Sequence, residues 1–140
     1  NVDTIVDKAG SGGTNIKIGN TATYVSENST TTQNAVQGMA KSWWQITGVS
    51  TASLNDSLNV SSFNDEGTGN YKITYSNNMN NITYSYSSGT GWNVGATNST
   101  YNGTDNDEIL TSTLEIYHVN TSDSVTDANL SMGSIHGDLA

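Results

Sequence analysis

The 140 residues contain only 4 Lys plus Arg against 13 Asp plus Glu, a net charge of −9 with pI ≈ 4.1. So few cations cannot neutralise a phosphate track, which excludes nucleic-acid partners, and the same balance excludes anchoring on anionic lipid. No apolar run reaches the roughly 20 residues that a membrane span needs, so no membrane insertion is expected.

Hydrophobic residues make up 33% and charged residues 12%, and Ser, Thr, Asn and Gly fill the gap. Three Trp and seven Tyr point to a packed β structure, since a disordered chain combines high charge with few aromatics. Without proline or cysteine, Gly and Asn must supply the positive-φ turn positions, and the redox compartment stays open. An opening at Asn1 rather than Met is expected of a processed product or of the end of a longer chain.

Val2, Thr4 and Val6 share one face of an extended segment and Ile5 the other, and Ala9-Gly10-Ser11-Gly12-Gly13 then breaks the chain. This pattern reads as a terminal strand or arm with a glycine hinge. Residues 15–19 and 22–26 are expected to pair as a hairpin across Gly19-Asn20. Residues 27–38 read as a loop or sheet rim, and residues 34–40 as a short helical turn that Gly38 keeps short.

Trp43 and Trp44 are adjacent, so on a strand they face opposite ways. One can enter a single core, and the other needs an arm, a second layer or a neighbouring subunit; Trp44 is the expected subunit contact. Leu54, Leu58 and Val60 alternate loosely, and Asp65-Glu66-Gly67-Thr68-Gly69 reads as a hairpin turn. Tyr71, Ile73 and Tyr75 then share a face, and Ile82, Tyr84 and Tyr86 repeat the pattern, which predicts two ladders paired across a sheet. Residues 87–108 read as excursion loops with a short strand near Trp92. Leu110, Leu114, Ile116 and His118 share parity in the next strand, and residues 130–136 close the sheet.

The two histidines, His118 and His136, could join a Ser-His-Asp arrangement only through tertiary contacts, because no nucleophile elbow or other local signature is present. No catalytic residue is therefore assigned. Asp105-Asn106-Asp107-Glu108 offers oxygen donors for Ca²⁺, but EF-hand spacing is missing, and the reading is a solvated loop with no metal and no cofactor. Trp92 and Tyr101, with Tyr84 and Tyr86, are candidate sugar platforms, although alternating Tyr on a strand is more often core or subunit interface. The acceptor pattern for N-glycosylation recurs at Asn28, Asn55, Asn59, Asn81, Asn98, Asn102, Asn120 and Asn129. In so Asn-, Ser- and Thr-rich a chain this is expected from composition.

The blocks Ala40-Lys41-Ser42-Trp43, Asp56 to Phe63, and Asp65 to Tyr75, followed by Met79 and Tyr84, resemble a module of marine tailed-phage (cyanophage- or pelagiphage-like) tail-fibre and virion structural proteins. The ending Ile135-His136-Gly137-Asp138-Leu139-Ala140 and the opening Val2 to Val6 with its glycine run are similar to the ends of short members of that group. Ser42 and Trp44 depart from the Ala and the aliphatic residue usual there, and an Arg often found near Asp56 is missing. The resemblance implies a non-enzymatic virion protein with no catalytic residues.

The expectation is an all-β protein: an antiparallel β-sandwich, jelly-roll or Ig-like, of seven to nine short strands with an N-terminal extended arm. Residues 1–20 form the arm and linker or hairpin, and residues 21–140 a single domain. Function is expected to be structural, on the virion surface and hence extracellular, as a fibre or appendage component or capsid decoration with a role in host attachment. Expected partners are copies of itself in a trimer or other cyclic assembly, capsid or tail proteins, and a host-surface glycan. The alternatives are a glycosylated pilus subunit joined by donor strands and a carbohydrate-binding module.

Overall fold

The computed structural model describes residues 18, 22–25, 30–91, 101–103, 109–120, 122 and 124–139, the strand 101–103 by its backbone alone. The chain divides into two compact units, Asn1–Met39 and Ala40–Ala140. The expected boundary at residues 20/21 thus moves to the start of the tryptophan-bearing strand.

In the first unit β1 (Thr23–Val25) pairs antiparallel with β2 (Thr32–Asn34), with Thr23 opposite Asn34. The expected partner of residues 22–26, residues 15–19, lies outside the described residues except for Ile18. The choice of β2 follows from what comes after it. Asn34 caps the single turn α1 (Ala35–Gly38) by accepting from the Gln37 N–H at 2.8 Å, and the Ala35 N–H returns to the Ala22 carbonyl at 2.8 Å. The helical turn expected at 34–40 is therefore present, capped by Asn34, and the Ala35 N–H ties the end of β2 to the start of β1.

The second unit is an antiparallel β-sandwich. Its strands are β3 (Ala40–Thr47), β4 (Ser53–Leu58), β5 (Val60–Gly67), β6 (Asn70–Tyr75), β7 (Ser85–Gly91), β8 (Tyr101–Gly103), β9 (Thr113–Val119) and β10 (Leu130–His136). One sheet runs β4-β3-β10-β7 and the other β5-β6-β9-β8. The second order is that of an immunoglobulin A-B-E-D sheet, and β7 and β10 take the C and F positions of its partner. The G position beside F is held by β3, which enters from the N-terminal side of the unit, with Ala40 opposite His136. The connectivity is thus Ig-like with strand G moved to the front.

Turn chemistry places the crossings. Gly67 (φ 137) and Gly69 (φ 65) occupy conformations that L side chains rarely adopt, as expected of the β5–β6 turn. Between β4 and β5 the chain passes from one sheet to the other through Asn59 at φ 57. Asn tolerates this left-handed geometry, and its side chain brackets Asn77, accepting from the Asn77 N–H at 2.7 Å and donating to its carbonyl at 2.9 Å.

Period-2 burial is clean on β6, while β3 and β9 also bury Lys41 and Glu115 on the opposite parity. Tyr71, Ile73 and Tyr75 of β6 and Leu114, Ile116 and His118 of β9 point inward from one sheet, while Trp44, Ile46 and Ile135 point inward from the other. Tyr71 lies opposite Ile116 and Ile73 opposite Leu114. The ladder expected between residues 71–75 and 82–86 does not form, because Tyr86 belongs to β7 in the other sheet. Tyr75 and Tyr84 still meet edge to face at 6.3 Å. A relay of hydroxyls runs from Tyr75 to Tyr84 at 3.2 Å and on to the Leu110 carbonyl at 3.1 Å. Burial and the Tyr84 contact hold the Tyr75 phenol well above its ordinary pKa. Leu110 itself falls outside β9 and is exposed.

Trp44 overturns its expected role. It is 1% exposed and sits in the core, so it is not a subunit contact. The tryptophan left on the outer face of β3 is Trp43, which is half-buried. The reason is a close approach. A Cβ on Gly133, directly opposite on β10, would stand 2.2 Å from Cζ2 of the Trp44 ring. Only a glycine leaves room for the indole there. Gly133→Ala is expected to cost about 2 kcal/mol or more through overpacking. Trp44→Phe in the same chain should recover part of that loss, read as non-additivity in a urea-denaturation double-mutant cycle. Additive effects would show that the two residues do not share the contact.

Candidate functional site

Two places concentrate polar chemistry among the described residues: a cluster sealed inside the sandwich and a groove on its outer face. The sealed cluster is built on β9 and β10. His118 and Ser131 are each 0% exposed, and His118 Nε2 lies 3.0 Å from Ser131 Oγ. Tyr71 packs edge-on against the imidazole at 5.4 Å. The Tyr71 hydroxyl donates to Asp127 Oδ1 at 3.0 Å and lies 3.3 Å from the Gly48 carbonyl. The same carboxylate oxygen accepts from the Gly69 N–H at 2.7 Å.

A Ser, a His and an Asp are therefore neighbours, but not in a nucleophilic arrangement. In such a triad the carboxylate orients the imidazole through its second nitrogen. Here Asp127 is occupied by Tyr71 and Gly69, and His118 Nδ1 has no hydrogen-bond partner. Ser131 has no exposed surface to offer a substrate. What the cluster does is mechanical. The Thr126 N–H donates to the His118 carbonyl at 2.9 Å and the Gly48 N–H to the Ala128 carbonyl at 2.9 Å. Residues 126–128 are thereby stitched to the β5–β6 turn and to the end of β3. A Cβ at Gly48 would lie 2.1 Å from the Tyr71 hydroxyl, and one at Gly69 2.6 Å from the Thr126 carbonyl, so both glycines are required by close packing.

The electrostatics follow from burial. Desolvation lowers the His118 pKa to about 4, opposed in part by the Asp127 charge. Burial first, then the Asp127 hydrogen bond and charge, raise the Tyr71 phenol well above its ordinary value. Both groups are neutral at pH 7.

The groove lies on the outer face of sheet β4-β3-β10-β7. Directly opposed residues in an antiparallel ladder share a face. One row across the sheet reads Leu58, Trp43, Ser134, Ser87, and the next reads Asp56, Gln45, Met132, Gly89. The concavity is ≈ 470 Å³; Trp43, Gln45, Ser87, Met132 and Ser134 line it with Gly89, together with Trp44, Ser88 and Gly133 of the opposite parity. Ser87 Oγ and Ser134 Oγ are 3.2 Å apart. A Cβ at Gly89 would meet nothing within 4 Å, so the glycine opens the floor. Among the described residues no charged side chain lines the groove.

Of the residues singled out in the sequence, Val2, Thr4, Ile5, Val6 and Trp92 lie outside the described residues, as do Asp105 to Glu108. Tyr101 lies on β8 opposite Val119. No group of three or more His, Cys, Asp or Glu among the described residues converges as a metal site would. Two glycosylation acceptors use the nitrogen that a glycan would take: Asn55 Nδ2 donates to Thr47 Oγ1 at 3.0 Å and Asn59 Nδ2 to the Asn77 carbonyl at 2.9 Å. The groove residues went unread in the sequence. Residues 87–91 belong to β7 (Ser85–Gly91) rather than to a loop, and the usable signal was the parity of Trp43 against Trp44.

The His118 imidazole makes stability depend on pH. The unfolded chain takes up this proton below about pH 6.5 and the folded chain only below about pH 4. Stability is therefore full above pH 6.5 and falls as pH drops toward 4, by about 3 kcal/mol in all. In His118→Gln, which keeps a hydrogen-bonding group and does not titrate, urea-denaturation free energies between pH 6.5 and 4 should lose this slope. An unchanged slope in that variant would place the pH dependence elsewhere.

No protein family matches the chain, and no curated protein or solved structure is similar to it.

Proposed function

We propose that the chain is a non-enzymatic structural protein of a tailed-phage particle. It is displayed on the outside as a fibre or appendage component or a capsid decoration, and held in place by copies of itself and by other virion proteins. The reading rests on the resemblance of residues 40–75 to such modules. One structural observation supports it most directly. Among the described residues, the core cluster of the sandwich is drawn wholly from Ala40 onward. An extended apolar arm can add to a neighbour's sheet, where main-chain hydrogen bonds supply the attachment.

Among the described residues, the Ser131–His118 contact is sealed from solvent. The donor-strand pilus alternative meets a specific difficulty. The G position, where a donated strand would insert beside strand F, is already filled by β3 of the same chain, so a donated strand would have to add at a sheet edge instead.

Sedimentation of the full chain against a chain lacking residues 1–13 tests the proposal. The full chain is expected to form a trimer or other closed oligomer. The truncated chain is expected to be a monomer whose melting temperature stays within about 2 °C of the full chain's, since the described core cluster runs from Trp44 to Ile135. Loss of folding on truncation, or a full chain that stays monomeric, would overturn the arm's role.

A further inference from the structure

We propose that the outer face of sheet β4-β3-β10-β7 is a binding site for a neutral saccharide, with the Trp43 indole as the stacking platform and Gln45, Ser87 and Ser134 as the hydrogen-bonding groups. Its residues do not include Trp92 or Tyr101, and it does not depend on assembly through the N-terminal arm.

Four observations carry it. The first is shape: a concavity of ≈ 470 Å³ falls within the range of small-molecule sites, about 300–1,000 Å³. The second is chemistry. A sugar ring has an apolar C–H face and an equatorial rim of hydroxyls. The groove sets an indole and a thioether beside an amide and two hydroxyls, each hydroxyl able both to donate and to accept. The third is charge. Among the described residues no ionised side chain lines the groove and the chain carries −9 overall, so neither a phosphate nor a carboxylate is favoured there.

The fourth is construction. Trp43, Ser134 and Ser87 stand in one row across three hydrogen-bonded strands, so their spacing is held by the ladder rather than by a loop. Gly89 opens the floor without being required by backbone strain or packing, because a Cβ there meets nothing within 4 Å. A glycine kept at a strand position with open space above it leaves room for something else.

The test uses the full chain. It is applied to an immobilised panel of neutral hexose and N-acetylhexosamine oligosaccharides, and any bound sugar is then titrated in solution by tryptophan fluorescence. Gly89→Leu fills the hollow and Trp43→Ala removes the platform. Each is expected to weaken binding by about tenfold or more. Gly89→Leu should do so with an unchanged melting temperature, because its side chain points into open space; it carries the test should Trp43→Ala unfold. Trp92→Ala is expected to leave binding unchanged. Failure to bind any sugar on the panel overturns the proposal. So does binding that survives Gly89→Leu, or binding lost in Trp92→Ala but retained in Trp43→Ala. A chain lacking residues 1–13 should still bind, which separates failure of this site from failure of the assembly reading.

Discussion

The sandwich depends on an indole laid against a glycine. Trp44 of β3 and Gly133 of β10 stand directly opposite each other, and the ring fills the space that any side chain on β10 would need. A slip of one residue between these strands would turn Trp44 to solvent and Trp43 into the core. The contact therefore sets the register of a pair whose members come from the two ends of the unit. It also decides what faces outward. With Trp44 inside, Trp43 is committed to the outer face, next to Ser134 and across from Ser87. The core and the groove are two consequences of one register.

The same economy governs the polar interior. His118, Ser131, Tyr71 and Asp127 join the segment 126–128 to β9, to the β5–β6 turn and to Gly48. Buried polar groups are costly unless satisfied, and this cluster leaves His118 Nδ1 without a partner, as the core leaves Trp44 Nε1. A neutral imidazole limits the cost, because an unpaired ring nitrogen is far cheaper to bury than a charge. Direct hydrogen bonds to strained or close-packed glycines fix the chain path at this end of the sandwich. The interior chemistry is thus spent on holding strands together, while the side chains able to meet a ligand stand on the outside of the other sheet.

How much of this was legible varied by element. Strand β6 could be read outright, since Tyr71, Ile73 and Tyr75 alternate with Lys72 and Thr74 and bury as they alternate. The β5–β6 turn announced itself through two glycines, both at positive φ. Strand β7 could not be read, because Ser87-Ser88-Gly89-Thr90-Gly91 has no apolar face of its own; it is a strand because β10 pairs with it along its whole length. The groove was invisible for the same reason. Its members are separated widely in the chain, and a serine or glycine on a strand gives no local sign of the indole two strands away.

By itself the sequence determined that the domain is made of antiparallel strands, where its sharpest turn lies, and that one tryptophan of the adjacent pair must face away from the core. These follow from period-2 alternation and from the conformations that only glycine and asparagine accept readily. The tertiary structure alone decided which tryptophan goes inward, that a leading strand fills the place of G beside F, and that a histidine, a serine and an aspartate become neighbours without forming a triad. Parity along a strand names two faces but not which is inside. That choice is made by a partner strand far away in the chain, whose glycine admits one ring and not the other.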